Sequence, residues 1–177
     1  ERSKGIVLRG YSSNNFSKLK IINKKSFFGE KKLIKNQISL GKELSFTLGV
    51  KIGDSITIMS SSGVSTVIGS LPKQKSFIVK SFFESGLADF DNNIAFINLI
   101  TLEEFLDLDS QERNLEIYLK NPQNIETQKS IVQKKFPNEF VYSWADMNSS
   151  LFSALKVERN VMFIILSLII VVAAFNI

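Results

Sequence analysis

Apolar and polar positions follow three rhythms along this chain. Short runs that alternate or stay apolar predict strands at Gly5–Tyr11, Ser55–Met59, Phe77–Phe83 and Ile94–Leu99, with Lys31–Ile34 a weaker candidate. Leu40, Leu44 and Leu48 recur at four-residue spacing behind Ser39. That predicts a helix capped by the serine and stopped at Gly49, where a left-handed residue is wanted. Lys51-Ile-Gly-Asp54 then turns the chain into the next strand. Thr101-Leu-Glu-Glu104 has the form of a capping box and predicts a short helix with Leu102, Phe105 and Leu106 inward.

Further along, Leu115, Ile117 and Leu119 alternate with Glu116, Tyr118 and Lys120, as a strand with one buried face would. Asn121-Pro122 predicts a helix start, with Ile125, Ile131, Val132 and Phe136 on its apolar side and Pro137 at its end. Phe140, Tyr142 and Trp144 alternate as a final strand. This strand–helix–strand piece is too small to bury its own faces, so the expectation is half of an α+β lobe completed by chain upstream of Glu1. From Ala145, residues Met147, Leu151, Leu155 and Met162 keep helical spacing, predicting one continuous helix.

The third rhythm is no rhythm. Val161–Ile177 carries no charge, Gly or Pro, and as a helix it covers roughly 25 Å, a little less than a bilayer's hydrocarbon core. A buried core helix can also be continuously apolar, but apolar character all the way round leaves no polar stripe and favours a membrane span. Lys156, Glu158 and Arg159 mark the water boundary. The chain begins without Met and stops inside this run, so the expectation is a fragment ending in a truncated span.

Two stretches fit no rhythm. Ser12–Lys25 is polar and turn-rich, and Glu84–Asn93 is acidic and loop-like. Ser60–Leu71, by contrast, sets four aliphatics among Ser, Thr and the hinge candidates Gly63 and Gly69. It fits an ordinary hairpin with a long loop equally well as a protruding arm whose apolar residues await a partner.

Composition narrows the chemistry. With no Cys and no His, the chain lacks thiolate zinc sites, Cys nucleophiles and the commonest general base. Residues 1–36 carry ten Lys/Arg against two acids, whereas residues 81–113 carry eight acids against one Arg. The bases are mostly Lys scattered among Asn and Ser, a solvated face rather than a nucleic-acid surface. Ser17-Lys-Leu-Lys20 matches a Ser-x-x-Lys acyl-enzyme pattern without its companion signatures. Asp89-Phe-Asp-Asn-Asn93 opens like a calcium loop, but Ile94 and Ile100 stand where the turn Gly and bidentate Glu belong. No phosphate-cradling loop is present. The expectation is no catalytic residue, no metal, no cofactor and no enzyme.

Leu151-Phe-x-Ala-Leu-Lys-x-Glu-Arg159, then Met162 and Leu166-Ser-Leu-Ile-Ile-Val-Val-Ala-Ala-Phe-Asn-Ile177, closely resembles the second transmembrane helix of the LolC/LolE family. These are permease subunits of the bacterial lipoprotein-releasing ABC transporter. The resemblance extends through Leu48-Gly-Val-x-x-Gly-Asp54, Pro72-Lys-Gln-Lys-Ser-Phe77, Ser85-Gly-Leu-x-x-Phe-Asp91 ahead of Ile94-Ala-Phe, and Trp144. It is patchy over residues 1–35, and the Gly-Asp turn alone is shared with MacB-type permeases.

The resemblance implies an α+β fold with a MacB-like periplasmic domain. Residues 1–113 would form a β-rich lobe with a hook loop at 60–76, and 114–144 the second half of an α+β lobe. Residues 145–160 would be a connecting helix and 161–177 the truncated span. It also implies the bacterial inner membrane as location, with most of this chain periplasmic. The implied partners are a LolD-like ATPase subunit, a second LolC/LolE-type permease subunit, a LolA-like periplasmic chaperone, the lipoprotein substrate and membrane lipid. The hook maps onto Val64, Val67, Ile68, Gly69 and Leu71, flanked by Pro72, Gln74 and Lys75, as the chaperone-binding set. Met162, Phe163 and Leu166 would meet lipoprotein acyl chains. The chain departs from the family's pattern in lacking a second Pro in the arm and in having Thr57 where some members carry a basic residue. Two alternatives stay open: a MacB- or FtsX-type permease with another role, and a single-span anchored binding module.

Overall fold

The computed structural model describes residues 3–66, 69–110, 113–121 and 124–175. The chain divides into two compact units, Glu1–Asn114 and Leu115–Ile177.

In the first unit the elements run β1 (Val7–Tyr11), α1 (Ser13–Phe16), β2 (Phe28–Gly29), β3 (Gln37–Gly41), α2 (Lys42–Leu48), β4 (Ser55–Thr66), β5 (Gly69–Phe83), α3 (Ala88–Asn93), β6 (Ile94–Asn98) and α4 (Leu99–Leu106). Six strands among the described residues form one mixed sheet, ordered β1-β6-β3-β5-β2, with β4 also on β5. β1 runs parallel to β6, β3 antiparallel to β6 and parallel to β5, and β2 and β4 antiparallel to β5. The fold is α+β, as the sequence predicts.

Alternation along the inner strands sorts side chains to two cores. Ala95 and Ile97 of β6 join Ile38, Leu40, Leu44, Phe77 and Val79 in one cluster. Phe96, between them, joins Phe16, Leu19, Ile22, Leu33 and Phe83 in the other. A strand buried on both faces needs a near-continuous apolar run, which Ile94-Ala-Phe-Ile97 supplies; on β5, Phe77 and Val79 are buried while Ile78 between them is exposed. The polar exceptions are Ser39 and Ser81, register partners on β3 and β5 whose buried hydroxyls have no hydrogen-bond partner among the described residues.

Several local expectations need correction. Residues 37–41 are strand, not the start of a helix, because they bond to β5 on one side and β6 on the other. The four-residue leucine spacing survives only in part, since α2 begins at Lys42 behind an extended Gly41. A Cβ at Gly41 would lie 1.9 Å from the Asp91 carbonyl oxygen, so only glycine fits there. Gly49 does adopt the left-handed conformation (φ 72°), and its N–H and that of Val50 close on the Ser45 carbonyl. The stretch after Ser12 is not merely solvated turn: Phe16, Leu19 and Ile22 cover one sheet face, and the Ser13 hydroxyl donates to the Leu33 carbonyl. Lys31–Ile34 is not a strand; Leu33 instead drops into the same core.

The acidic stretch 84–93 contains α3, and its buried Asp91 accepts the Ser85 N–H with both carboxylate oxygens at 2.9 and 3.0 Å. Thr101 does not cap α4. The helix starts two residues earlier, where the Asn98 side chain accepts the Ile100 N–H at 3.1 Å, and Thr101 is buried within it.

The second unit holds α5 (Ile125–Lys135), α6 (Trp144–Met147) and α7 (Ser149–Phe175). Residues 115–119 and 140–143 are not strands: Leu115 is 78% exposed and Phe140 88%. Alternation suits a ladder only when a neighbouring strand supplies it, and the described residues of this unit contain none. Pro122 of the predicted Asn121-Pro122 helix start lies outside the described residues; α5 itself ends at Lys135, one residue short of Phe136. The single helix predicted from Ala145 is two. A capping box between Ser143 and Asp146 nucleates α6 as a separate turn, and the chain breaks at Asn148 before α7 begins. Trp144 then packs edge-on against Phe152 across that break, with ring centroids 5.1 Å apart.

Candidate functional site: a protruding arm and an apolar helix

The arm follows from strand lengths. β5 runs 15 residues, but β3 bonds only to its Ile78–Phe83 end. The remaining stretch, with β4 alongside, is a two-stranded ribbon that leaves the sheet. Ser55–Met59 pair with Gln74–Ile78, and Gly63–Thr66 with Gly69–Pro72, the register shifting between Met59 and Gly63. The long loop of the plainer sequence reading is therefore mostly paired strand. Gly63 sits in the irregular stretch, where an insertion bends a ribbon and increases its twist. Pro72 lies opposite Gly63 and brings no backbone donor.

The sequence-predicted docking residues fall as follows. Val64 pairs with Leu71, and Gly69 with Thr66, in the outer part of the ribbon. Leu71 is 56% exposed. Val67 and Ile68 lie outside the described residues. Gln74 and Lys75, adjacent in sequence, are on opposite faces of β5. Gln74 shares an open face with Met59, Thr57, Ser76 and Ile78. Thr57 and Ser76 link their hydroxyls across that face at 3.1 Å. Lys73, Lys75 and Phe77 share the other face.

That second face packs on α4. Phe77 is fully buried and meets Phe105 edge-on at 6.4 Å. Lys73 pairs with Asp107, and Lys75 approaches Glu104 at 3.8 Å, while Lys35 reaches the same carboxylate at 3.1 Å. Asp107 occupies a left-handed position (φ 53°) just after the helix, which aspartate tolerates better than most residues. Neighbouring Glu103 takes a bidentate bond from Arg113 at 2.6 and 3.0 Å; this holds its carboxyl below the usual range and raises the guanidinium. Sequence reasoning missed Lys73, Glu104 and Asp107. The pairs are 34 and 29 positions apart, so no local pattern could have linked them.

In the second unit, α7 is 27 residues long, about 40 Å, and its apolar side chains are exposed all round. A buried soluble helix would show the opposite. Met162, Phe163 and Leu166 fall at i, i+1 and i+4 and so share one side of the helix. Ser167, a polar residue within the apolar run, donates its hydroxyl to the Phe163 carbonyl at 2.8 Å, which removes the cost of an unpaired hydroxyl in hydrocarbon. Ahead of α7, one Asp146 oxygen accepts from Lys129 of α5 and from the Ser143 N–H and hydroxyl, each at 2.7 Å. The Lys129 bond first, then the two from Ser143, pull the Asp146 pKa down to about 2, and the same bond raises that of Lys129.

No protein-family profile matches the chain. A relative in Xylella fastidiosa, a lipoprotein-releasing system transmembrane protein LolC, is 31% identical over 180 residues. That match takes in 99% of this chain and 43% of the relative. The LolC proteins of Neisseria meningitidis serogroup B and Haemophilus influenzae are 34% and 30% identical, covering 78% and 84% of the chain and 34% and 36% of the relatives.

The chain belongs to the LolC/LolE family.

It spans about two fifths of the length of the Xylella relative and about a third of the other two. The arm and the apolar helix of this LolC/LolE chain both fall inside the match to the Xylella protein, which leaves almost none of the chain out.

Proposed function

We propose that the full protein is a membrane permease subunit of an ABC transporter that extracts lipoproteins from the bacterial inner membrane and hands them to a periplasmic chaperone. Residues 1–113 form the chaperone-facing lobe with its hook at 60–76, 114–144 half of an α+β lobe, and 145–160 the connection to the span at 161–177. The protein itself is not an enzyme: a separate LolD-like subunit hydrolyses ATP, and a second LolC/LolE-type subunit completes the membrane part. The likeness to lipoprotein-releasing LolC proteins over 99% of the chain supports this reading. The ribbon suits the hand-off, because a two-stranded arm with free strand edges and one open face offers backbone and side chains to a partner. Leu71, Pro72 and Gln74 are the described residues best exposed for that contact. In the span, the side of α7 bearing Met162, Phe163 and Leu166 contacts lipoprotein acyl chains.

Pull-down of a LolA-like chaperone by the full-length protein, with residues 61–72 replaced by Gly and Ser, tests the hand-off. Capture is expected to disappear; undiminished capture removes the arm from the mechanism. Depletion in the source bacterium is expected to leave lipoproteins in the inner membrane, and normal sorting would refute the transport reading.

A further inference from the structure

We infer that α4 is a strap that fixes the direction of the arm, with Glu104 and Asp107 as positioning residues acting through Lys75 and Lys73. The inference rests on the arm being the docking element and names what holds it ready. Lysines on a two-stranded ribbon are expected to extend into water, their ammonium groups strongly hydrated. Here the side chains of Lys73 and Lys75 are only 23% and 24% exposed, and both turn to the same helix.

The helix is a firm base for them. Phe105 is buried against Phe77 at the root, Thr101 is buried, and the Asn98 cap also donates to the Leu33 carbonyl at 3.1 Å. Glu104 is shared, with Lys35 on one side and Lys75 on the other, so the strap ties the ribbon to the body of the sheet unit. β3 bonds to β5 only from Ile78 onward; below that point Phe77, Ile56 and Ile58 hold the root of the ribbon on the core, and the two ion pairs add polar restraint along the same face. Each pair is partly solvated and worth a modest factor, about two- to fivefold in a population. Acting on one lever from one helix, they bias where its far end points. A docking element held in one direction loses less freedom when its partner arrives.

The test is a distance distribution in the full-length protein. This chain has no cysteine, so once any cysteine elsewhere in the full-length protein is replaced, spin labels at Leu71→Cys on the arm and Phe46→Cys on α2 report arm direction directly. In Glu104→Gln/Asp107→Asn, which keeps side-chain size, the population outside the main distance peak is expected to rise about two- to fivefold per pair lost. The parent should broaden similarly at 1 M salt, where screening reaches about 3 Å. The charge swap Lys73→Glu/Asp107→Lys should narrow the distribution again, which a variant that merely damages folding would not do. A distribution as narrow in the double variant as in the parent overturns the strap. Chaperone capture, measured on unlabelled proteins, is expected to weaken by a similar factor. Broadening with unchanged capture overturns the claim that the strap serves docking. A parent that captures no chaperone at all overturns the docking reading and leaves the strap standing.

Discussion

Two residues six positions apart on β5 should separate what folds the arm's root from what the arm presents. Phe77 is fully buried, sits opposite Ile56, and meets Phe105 edge-on at 6.4 Å. Truncation to alanine removes a whole ring from a site walled by two strands and a helix, where relaxation is limited. Core Phe→Ala changes cost about 3–5 kcal/mol, and the lost aromatic pair of about 0.5–1.5 kcal/mol falls within that range. About 4 kcal/mol corresponds to roughly three decades in an opening equilibrium. Leu71 is more than half exposed and its alanine variant should stay within about 0.5 kcal/mol. Native-state hydrogen exchange on the full-length protein in detergent reads both. Phe77→Ala is expected to speed exchange at the β5 and β6 amides by up to a thousandfold. Leu71→Ala should leave those rates alone while weakening chaperone capture. A Phe77→Ala cost below about 1 kcal/mol, or a comparable loss from Leu71→Ala, would refute the division into buried root and presenting tip.

Other consequences are as concrete. Gly41→Ala drives a Cβ into the Asp91 backbone and should cost at least about 1–3 kcal/mol, seen as a lowered thermal midpoint; an unchanged midpoint would show that α3 can move away. The folded Asp146 pKa of about 2 lies below its ordinary 3.8, so its contribution to stability is present above pH ~4 and lost as the pH falls through about 2. Asp146→Asn should thus differ from the parent at neutral pH and converge with it near pH 2, measured by exchange at the α6 amides. Leu166→Arg should hinder membrane insertion of α7 by about 2.5–3.5 kcal/mol, read as the fraction of chain resisting alkaline extraction; full retention would argue that this side of the helix never meets lipid.

Much of the sheet was legible because its inner strands are coded locally. Ile94-Ala-Phe-Ile97 announces a strand buried on both faces, Phe77-Ile-Val79 announces a strand with Phe77 and Val79 inward, and Gly49 announces the end of α2. Residues 37–41 were not legible as strand, since Leu40 fits a helical face with Leu44 and a strand bonded on both sides alike; only the neighbours β5 and β6 decide. The outer half of the arm is rich in Ser and Gly, poor strand formers, and its pairing is settled by the opposite strand rather than by its own residues. Alternation at 115–119 and 140–144 misled for the converse reason, a strand pattern with no strand beside it among the described residues. For the candidate site, the residues of Ser60–Leu71 suited a long-looped hairpin and an arm alike and the family resemblance favoured the arm, whereas the face on which each residue lies came only from register. Lys75 therefore sits against Glu104 rather than beside Gln74, a distinction invisible without knowing which residue stands opposite which.

Pro72 has a consequence beyond the arm's shape. A slender pair of strands standing clear of its sheet invites identical copies to stack on it, and a membrane surface crowds such copies together. A ring in place of an amide hydrogen spoils that template at one rung, so a second chain cannot zip along the full length. On the proposed docking role, the same residue that still admits a heterologous visitor would guard the ribbon against its own kind.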